Sequence, residues 1–435
     1  MLYVCSILFT PKWVIAEADK LMFKFLWSNK KPYVKRTTIV ANINEGGLKM
    51  VHFESMVKAI KLNWIKRFDK SKSNYYNLVD CLIGMKVTIS NLVKCHIKKK
   101  DLEGIQNSFY KQIMMYWSSI YTAQTMTPTE IYNQVIWVNS SVSVDSKPIL
   151  YKHWWKHGII YIYHIMNDDG RFKTKKDIEL LFDTKVNQMD YNSLISAFPK
   201  KWQTIIQEND VSRQIKEDFR LRLDIKSTLI AEIKCADYYK YFLSKIIEAP
   251  TAIKKWNETF NMNAETWQTF FTLPYETCVE TNLQSFQYKI LNRFFPCNYN
   301  LSLWFKEVSN VCEYCQTVTD TTVHYFFSCE KVCDFWYSFS RWWKNVHEFR
   351  FVLTERDIIF GIQNPNNDLC IDNLNYCILI GKYYIYTVKK CGKVLFLFDF
   401  LQYIKNKIEI IYTMHCLQDK LDIFEKKWST LYNSL

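Results

Sequence analysis

Residues Val311–Cys329 read VCEYCQTVTDTTVHYFFSC. Two residues separate Cys312 from Cys315, eight separate Cys315 from His324, and four separate His324 from Cys329. A two-residue gap lets both thiolates of a tight knuckle face one ion, and the polar stretch that follows has the length of a hairpin or loop returning the chain to it. His324 and Cys329 then complete a tetrahedron. Three thiolates and one imidazole make a closed shell, which points to a structural Zn2+ rather than a catalytic one. Trp336 and the run Tyr325-Phe326-Phe327 offer a dry aromatic wall. Cys333, one helical turn beyond Cys329, competes as fourth ligand. Buried free thiols are the plain alternative, and a redox pair is a weaker one because no βαβ pattern surrounds the cysteines.

Outward from this stretch the chain reads as mainly α. It has 435 residues, with 49% hydrophobic, 17% aromatic and 23% charged content, which suits a globular protein able to bury one or more cores. Only 9 Gly and 9 Pro disfavour a turn-rich all-β chain. Val14, Ala18, Leu21, Met22 and Phe25 fall at helical spacing within a helix over residues 11–28 that Pro11 opens. An extended piece is expected at Arg36–Ala41 and a turn at Glu45-Gly46-Gly47. A second, basic helix starts near Phe53. Its expected apolar face is Met56, Ala59, Ile60, Trp64 and Phe68, with Lys58, Lys61, Lys66 and Arg67 largely opposite. Lys70–Asn74 reads as a loop. Further helices are expected from Thr174 to Phe182, over Asp190–Trp202 with a break at Pro199, and over residues 226–247 and 396–413. The expected organisation is a thumb-like basic helical region (1–75), a helical middle region (76–249), and a helical C-terminal region (250–435) carrying the small CCHC element.

The charge is uneven. Net charge is +14, yet residues 1–100 hold 19 Lys/Arg against 6 Asp/Glu, whereas the remaining residues are nearly balanced. Such asymmetry predicts a polyanionic partner for the N-terminal quarter. Lys30, Lys31, Lys35, Arg36, Lys58, Lys61, Lys66 and Arg67 are the candidate nucleic-acid-binding residues. Arg341 and Lys344 lie near the metal-binding stretch. No uncharged run approaches the length of a bilayer span, no secretory pattern opens the chain, and the scattered cysteines read as reduced thiols, so the expected location is intracellular, cytoplasmic and/or nuclear.

Catalytic signatures are not apparent. Asp168-Asp169 runs into Gly170-Arg171-Phe172-Lys173, a polar turn, unlike the apolar hairpin that holds paired aspartates on Mg2+. Gly46-Gly47 lacks the Gly-Lys-Ser/Thr of a phosphate loop. His153 and His157 are four apart without an evident third ligand. No small-molecule substrate is suggested.

Cys312–Cys329 followed by Asp334-Phe335-Trp336 resembles the zinc-binding segment after the reverse transcriptase of LINE-type (non-LTR) retrotransposon polyproteins. Asp320-Thr321-Thr322-Val323 fits the pattern before the histidine, with Asp for the usual Glu. Ser285–Leu291 and Pro250-Thr251-Ala252 leading to Trp256 resemble the approach to that site. Phe25-Leu26-Trp27, Lys30-Lys31, Gly46-Gly47-Leu48 and Ala59–Phe68 resemble the segment after the polymerase palm. Gly170-Arg171-Phe172, Ala197–Trp202, Lys382–Tyr386 and Lys427-Trp428 resemble the middle and tail, in the family's order. The resemblance implies that residues 1–75 grip RNA or an RNA–DNA template–primer backbone as a thumb. It also implies that the palm's catalytic aspartates and the endonuclease lie upstream of this sequence. The expectation is therefore a truncated, non-enzymatic fragment that binds RNA non-specifically. The alternatives are a reverse transcriptase portion active only when joined to a palm, and a protein-interaction module without a nucleic-acid role.

Overall fold

A computed structural model describes residues 2–68, 87–121, 126–167, 169–208, 220–223, 226–347 and 352–435. The protein is mainly helical, as the sequence predicts. The helices used below are α1 (Leu2–Ile7), α2 (Lys12–Leu26), α3 (Arg36–Ile39), α4 (Phe53–Leu62), α5 (Ser108–Tyr121), α6 (Cys235–Ser244), α7 (Thr251–Phe260), α8 (Ala264–Thr277), α9 (Thr281–Leu291), α10 (Asn298–Trp304), α11 (Glu330–His347), α12 (Leu369–Lys390), α13 (Leu397–Leu417) and α14 (Leu421–Ser434), with shorter turns between them. Among the described residues the sheets are two antiparallel pairs: β1 (Ser143–Val144) with β2 (Lys147–Pro148), and β3 (Arg220–Leu223) with β4 (Lys226–Leu229). No helix among the described residues is long and apolar enough to cross a membrane.

The chain divides into two compact units. The first contains Met1–Lys30 and Val51–Ile246, and the second contains Lys31–Met50 and Ile247–Leu435. The expected boundary at 249/250 falls beside this division. The expected boundary at 75/76 and the Lys70–Asn74 loop lie outside the described residues.

In the first unit, α2 begins behind Pro11, whose φ of −61° suits a helix start. Its buried stripe matches the expected one only in part. Ile15, Ala18 and Met22 pack with Phe53 and Val57 of α4, while Leu21 is 54% and Phe25 89% exposed. Ala18 and Met22 lie on the expected face, but Ile15 takes the place of Val14, and Leu21 and Phe25 turn outward, because α4 docks on the Ile15 side. Helix α4 starts at His52, whose ring nitrogen accepts the Ser55 N–H at 3.3 Å. It buries Phe53, Val57 and Lys61, at four-residue spacing. The residues expected to form a basic face thus include one that points inward.

Two further elements depart from the sequence reading, and a third follows it. Residues 36–39 are helical rather than extended, because the Lys35 carbonyl accepts the Thr38 and Ile39 N–H groups. Residues 226–229 pair with 220–223 as a hairpin, and helix resumes only at Cys235. The Asp190–Trp202 region is two helices, Gln188–Ala197 and Lys200–Gln207. The break falls where expected: Phe198 is extended ahead of Pro199, the conformation a following proline favours.

In the second unit α12 is the central element, with both its polar and apolar residues buried over most of its length. Phe286 of α9 meets Tyr383 with ring centroids 5.2 Å apart, and Trp428 of α14 meets Tyr376 at 4.7 Å. Lys382 is buried with them. Its ammonium donates to Gln287 Oε1 at 2.6 Å and to the Ile359 carbonyl at 3.2 Å, and burial pulls its pKa down to about 7. Residues 31–50 join this unit through a tight turn. Asn42 and Glu45 cap the 3-10 turn Ile43–Glu45, and Gly46 follows at φ +84°. A Cβ on Gly46 would lie 2.4 Å from Pro250 Cγ, and one on Gly47 would lie 2.1 Å from the Ala41 carbonyl oxygen. That second clash is with backbone and cannot be relieved by a rotamer change. Gly47→Ala is therefore expected to destabilise the protein by about 1–3 kcal/mol, the usual range for forced overpacking. A urea titration checks it, and an unchanged midpoint would contradict this packing.

Candidate metal centre

The metal-binding stretch folds as a hairpin followed by one wide helical turn. Cys312 donates its N–H to the Val318 carbonyl at 2.8 Å, and Gln316 donates to the Cys312 carbonyl at 2.7 Å. Gln316, directly after Cys315, is left-handed at φ +61°, which turns the chain sharply between the knuckle and the returning strand. Val311 and Thr319 pair across the hairpin. His324–Ser328 then forms a π turn, closed by the Cys329 N–H on the His324 carbonyl at 3.1 Å. Such wide turns recur at functional sites because they realign side chains that a regular helix would separate. Here the turn brings His324 and Cys329 to the same side before α11 begins.

One potential ligand atom each from Cys312, Cys315, His324 and Cys329 lies within 4.8 Å of all the others. Ligands on one tetrahedral ion, at metal–sulfur distances of about 2.3 Å, stand slightly closer than that, so the four can close on a single ion with small adjustments. Cys312, Cys329 and His324 are buried, and Cys315 is half-buried. The cluster could hold a metal ion. Cys333 is exposed and stands outside the group, which contains Cys329.

The electrostatics favour ionised sulfur. A hydrogen bond from Cys312 brings the Cys329 thiol down to about 7 against the cost of burial, with Lys389 assisting. Cys312, as the donor, is pushed up to about 12. At Cys315, burial acts upward, but hydrogen bonds from Thr317, the Val318 backbone and His324 outweigh it and bring the thiol to about 7. Sγ of Cys315 lies 3.4 Å from His324 Nε2.

Lys389 of α12 is a residue the sequence reading did not single out. Its ammonium lies 4.0 Å from Cys312 Sγ, donates to the Tyr325 carbonyl at 3.2 Å, and sits 4.0 Å from the Tyr325 ring centroid and 5.3 Å from that of Tyr314. Three thiolates around a divalent ion leave one negative charge, and a cation fixed at this range offsets it. Of the aromatic residues expected around the site, Trp336 Nε1–H donates to the Phe326 carbonyl at 2.8 Å.

The candidate phosphate-binding residues are divided between the two units. Lys30, Lys58, Lys61, Lys66 and Arg67 belong to the first, and Lys31, Lys35 and Arg36 to the second. Lys30, Lys31, Lys35, Arg36 and Arg67 are exposed, whereas Lys58 and Lys66 are half-buried. Lys35 pairs with Glu248 at 2.7 Å, and Lys58 with Glu54 at 2.7 Å. Arg67 lies 4.2 Å over the Trp64 ring. Lys61 is the correction. It is fully buried, its ammonium donating to the Leu8 carbonyl at 2.6 Å and lying 4.4 Å over Phe109. Sequence spacing put it opposite Ala59 and Ile60, but the α4 face that docks on α1 and α5 is the one carrying it. Arg341 and Lys344 are exposed on α11.

Among the described residues, the other pairs weighed from sequence join no His/Cys/Asp/Glu group that could hold a metal ion. His153 and His157 are exposed and T-shaped at 4.4 Å, with His153 bound to Thr184 Oγ1 at 2.8 Å. Asp169 accepts the Arg171 N–H at 3.0 Å in an exposed turn, while Asp168 lies outside the described residues. No protein-family model matches the chain, and no curated protein matches it either.

Metal analysis of two serine variants tests the ligand set. Cys329→Ser is expected to lose most of its bound metal on dialysis, and Cys333→Ser to keep the wild-type content. The reverse pattern would transfer the fourth position to Cys333.

Proposed function

We propose that the protein is a nucleic-acid-binding fragment of a LINE-type retrotransposon polyprotein, stapled by a structural Zn2+ and without polymerase activity of its own. Cys312, Cys315, His324 and Cys329 hold the zinc. Three sulfurs and one nitrogen are a donor set zinc prefers, and four protein ligands leave no open position for substrate. The order of the resembling stretches along nearly the whole sequence supports the family.

The observation that carries the nucleic-acid reading is the concentration of positive charge in residues 1–100, 19 Lys/Arg against 6 Asp/Glu. Lys30, Lys31, Arg36, Lys66 and Arg67 are the phosphate-neutralising set, with Lys35 and Lys58 engaged by Glu248 and Glu54 and Lys61 withdrawn into the core. Contacts of this kind fix a backbone without reading its sequence. RNA, or the RNA–DNA template–primer backbone, is the partner.

Affinity should therefore fall steeply with salt. Neutralising Lys30, Lys31, Lys66 and Arg67 together should weaken RNA binding about tenfold or more at low salt and flatten the log–log salt slope by roughly 3, at about 0.7 per lost contact on a single strand. Fluorescence anisotropy across a salt series measures both quantities. Affinity indifferent to salt, or unchanged in the neutralised variant, would reject this reading.

A further inference from the structure

Lys389 stands in the last turn of α12, one turn beyond the buried Ile385, and is half-buried. The groups around its ammonium described so far are neutral. The Tyr325 ring centroid lies 4.0 Å away, the Tyr314 centroid 5.3 Å away, and the Tyr325 carbonyl accepts its N–H at 3.2 Å. Among the described residues no carboxylate forms an ion pair with it. A cation partly withdrawn from water is held best by an anion, and two ring faces with one carbonyl supply only part of that compensation. The remaining neighbour is the sulfur of buried Cys312, 4.0 Å away.

The knuckle is held in place for this contact. Tyr314 lies between Cys312 and Cys315 in sequence, and its hydroxyl accepts the Leu395 N–H at 3.0 Å. Its ring carries a second cation, the exposed Lys331 of α11, at 4.9 Å from the centroid. Two lysines thus face one ring, and Lys389 is the one that also reaches a ligand sulfur. Residues 389–395 grip the knuckle at two points, one a charge on Cys312 and the other a backbone amide on Tyr314.

The chemistry of the cluster supplies the anion. Three thiolates and one neutral imidazole around Zn2+ carry one negative charge, whereas three neutral thiols and an imidazole carry none. The ammonium therefore matches the metal complex and not a set of buried free thiols. A charged N–H directed at a thiolate also favours its ionised form, and contacts of this kind behind a metal ligand set how tightly the ion is kept.

We propose that Lys389 is a positioning residue of the metal centre, whose ammonium donates to the Cys312 sulfur, balances the charge of the three-thiolate complex and sets its affinity for the ion. This rests on the zinc reading above and adds the residue that governs retention. Chelator competition on the full-length protein, with Zn2+ and with Co2+ as an optical probe, tests it. Lys389→Met keeps the aliphatic stem and removes the charge. It should weaken zinc binding about 10–100-fold. It should also move the sulfur-to-cobalt charge-transfer band to longer wavelength, because a sulfur that loses its hydrogen bond gives up an electron more easily. Lys389→Arg should restore most of the affinity and the band position. Lys331→Met removes an exposed, screened cation from the same ring and should keep the affinity within about threefold. Circular dichroism confirms that each variant is folded, and Lys389→Gln replaces Lys389→Met in the same comparison if the latter is not. A charge-removed variant that binds zinc like the wild type overturns the assignment. So does one whose weakened binding comes with an unmoved cobalt band and no rescue by arginine, which is the mark of a packing role. An equal loss in Lys331→Met assigns the effect to the Tyr314 ring and overturns it as well. A metal-loaded wild type beside an unaffected Lys389→Met removes the role of Lys389 alone, whereas a wild type that binds neither ion removes the zinc reading with it.

Discussion

Four side chains spread over a short stretch must reach one point, and the local chain is shaped by that demand. The left-handed Gln316 turns the knuckle, the hairpin returns the chain, and the π turn rotates His324 and Cys329 to one side. Cys315 and Cys329, both brought down to about 7, stand in one cluster, and Cys312 donates a hydrogen bond to Cys329. Zinc in sites of this kind contributes about 10–16 kcal/mol, comparable to the whole stability of about 5–15 kcal/mol typical of a domain. On the zinc proposal, the loop and α10 behind it are therefore organised by the metal rather than by burial, which agrees with a helix that buries no residue of its own.

Two helices of the second unit reach the metal-binding stretch. Lys389 reaches back from α12 to the Cys312 sulfur, and Trp336 on α11 binds the π turn. The same central helix buries Lys382 against Gln287 and the Ile359 carbonyl. A lysine so placed is tolerated because two acceptors replace water, and its lowered pKa records the cost. Lys61 repeats the pattern in the first unit, with one carbonyl and one aromatic ring as its partners. A positive residue in a basic stretch is thus no guide by itself to a phosphate contact.

Much of this was legible in the sequence, for identifiable reasons. Ligand spacing reports local geometry, so the Cys312–Cys329 cluster appeared as expected. Helix starts marked by Pro11, by Thr174 with Asp177, and by the break at Pro199 also appeared, because capping and proline effects are local. What was missed depends on partners distant in sequence. The buried faces of α2 and α4 are set by which helix docks where, so Phe25 emerged exposed and Lys61 buried. Residues 226–229 became a strand because 220–223 pair with them. Residues 31–50 joined the second unit through the Gly46-Gly47 turn against Pro250, a contact no periodicity announces. Lys389 was invisible for the same reason: it is a long way along the chain from the sulfur it faces.

The central claim is that one ion sits among three sulfurs and one imidazole. X-ray absorption at the metal edge of the purified full-length protein reads this directly. A zinc edge with three sulfur neighbours at about 2.3 Å and one nitrogen at about 2.0 Å is the predicted result. A shell of oxygen and nitrogen alone, or protein purified without metal and equally stable in chelator, would contradict it.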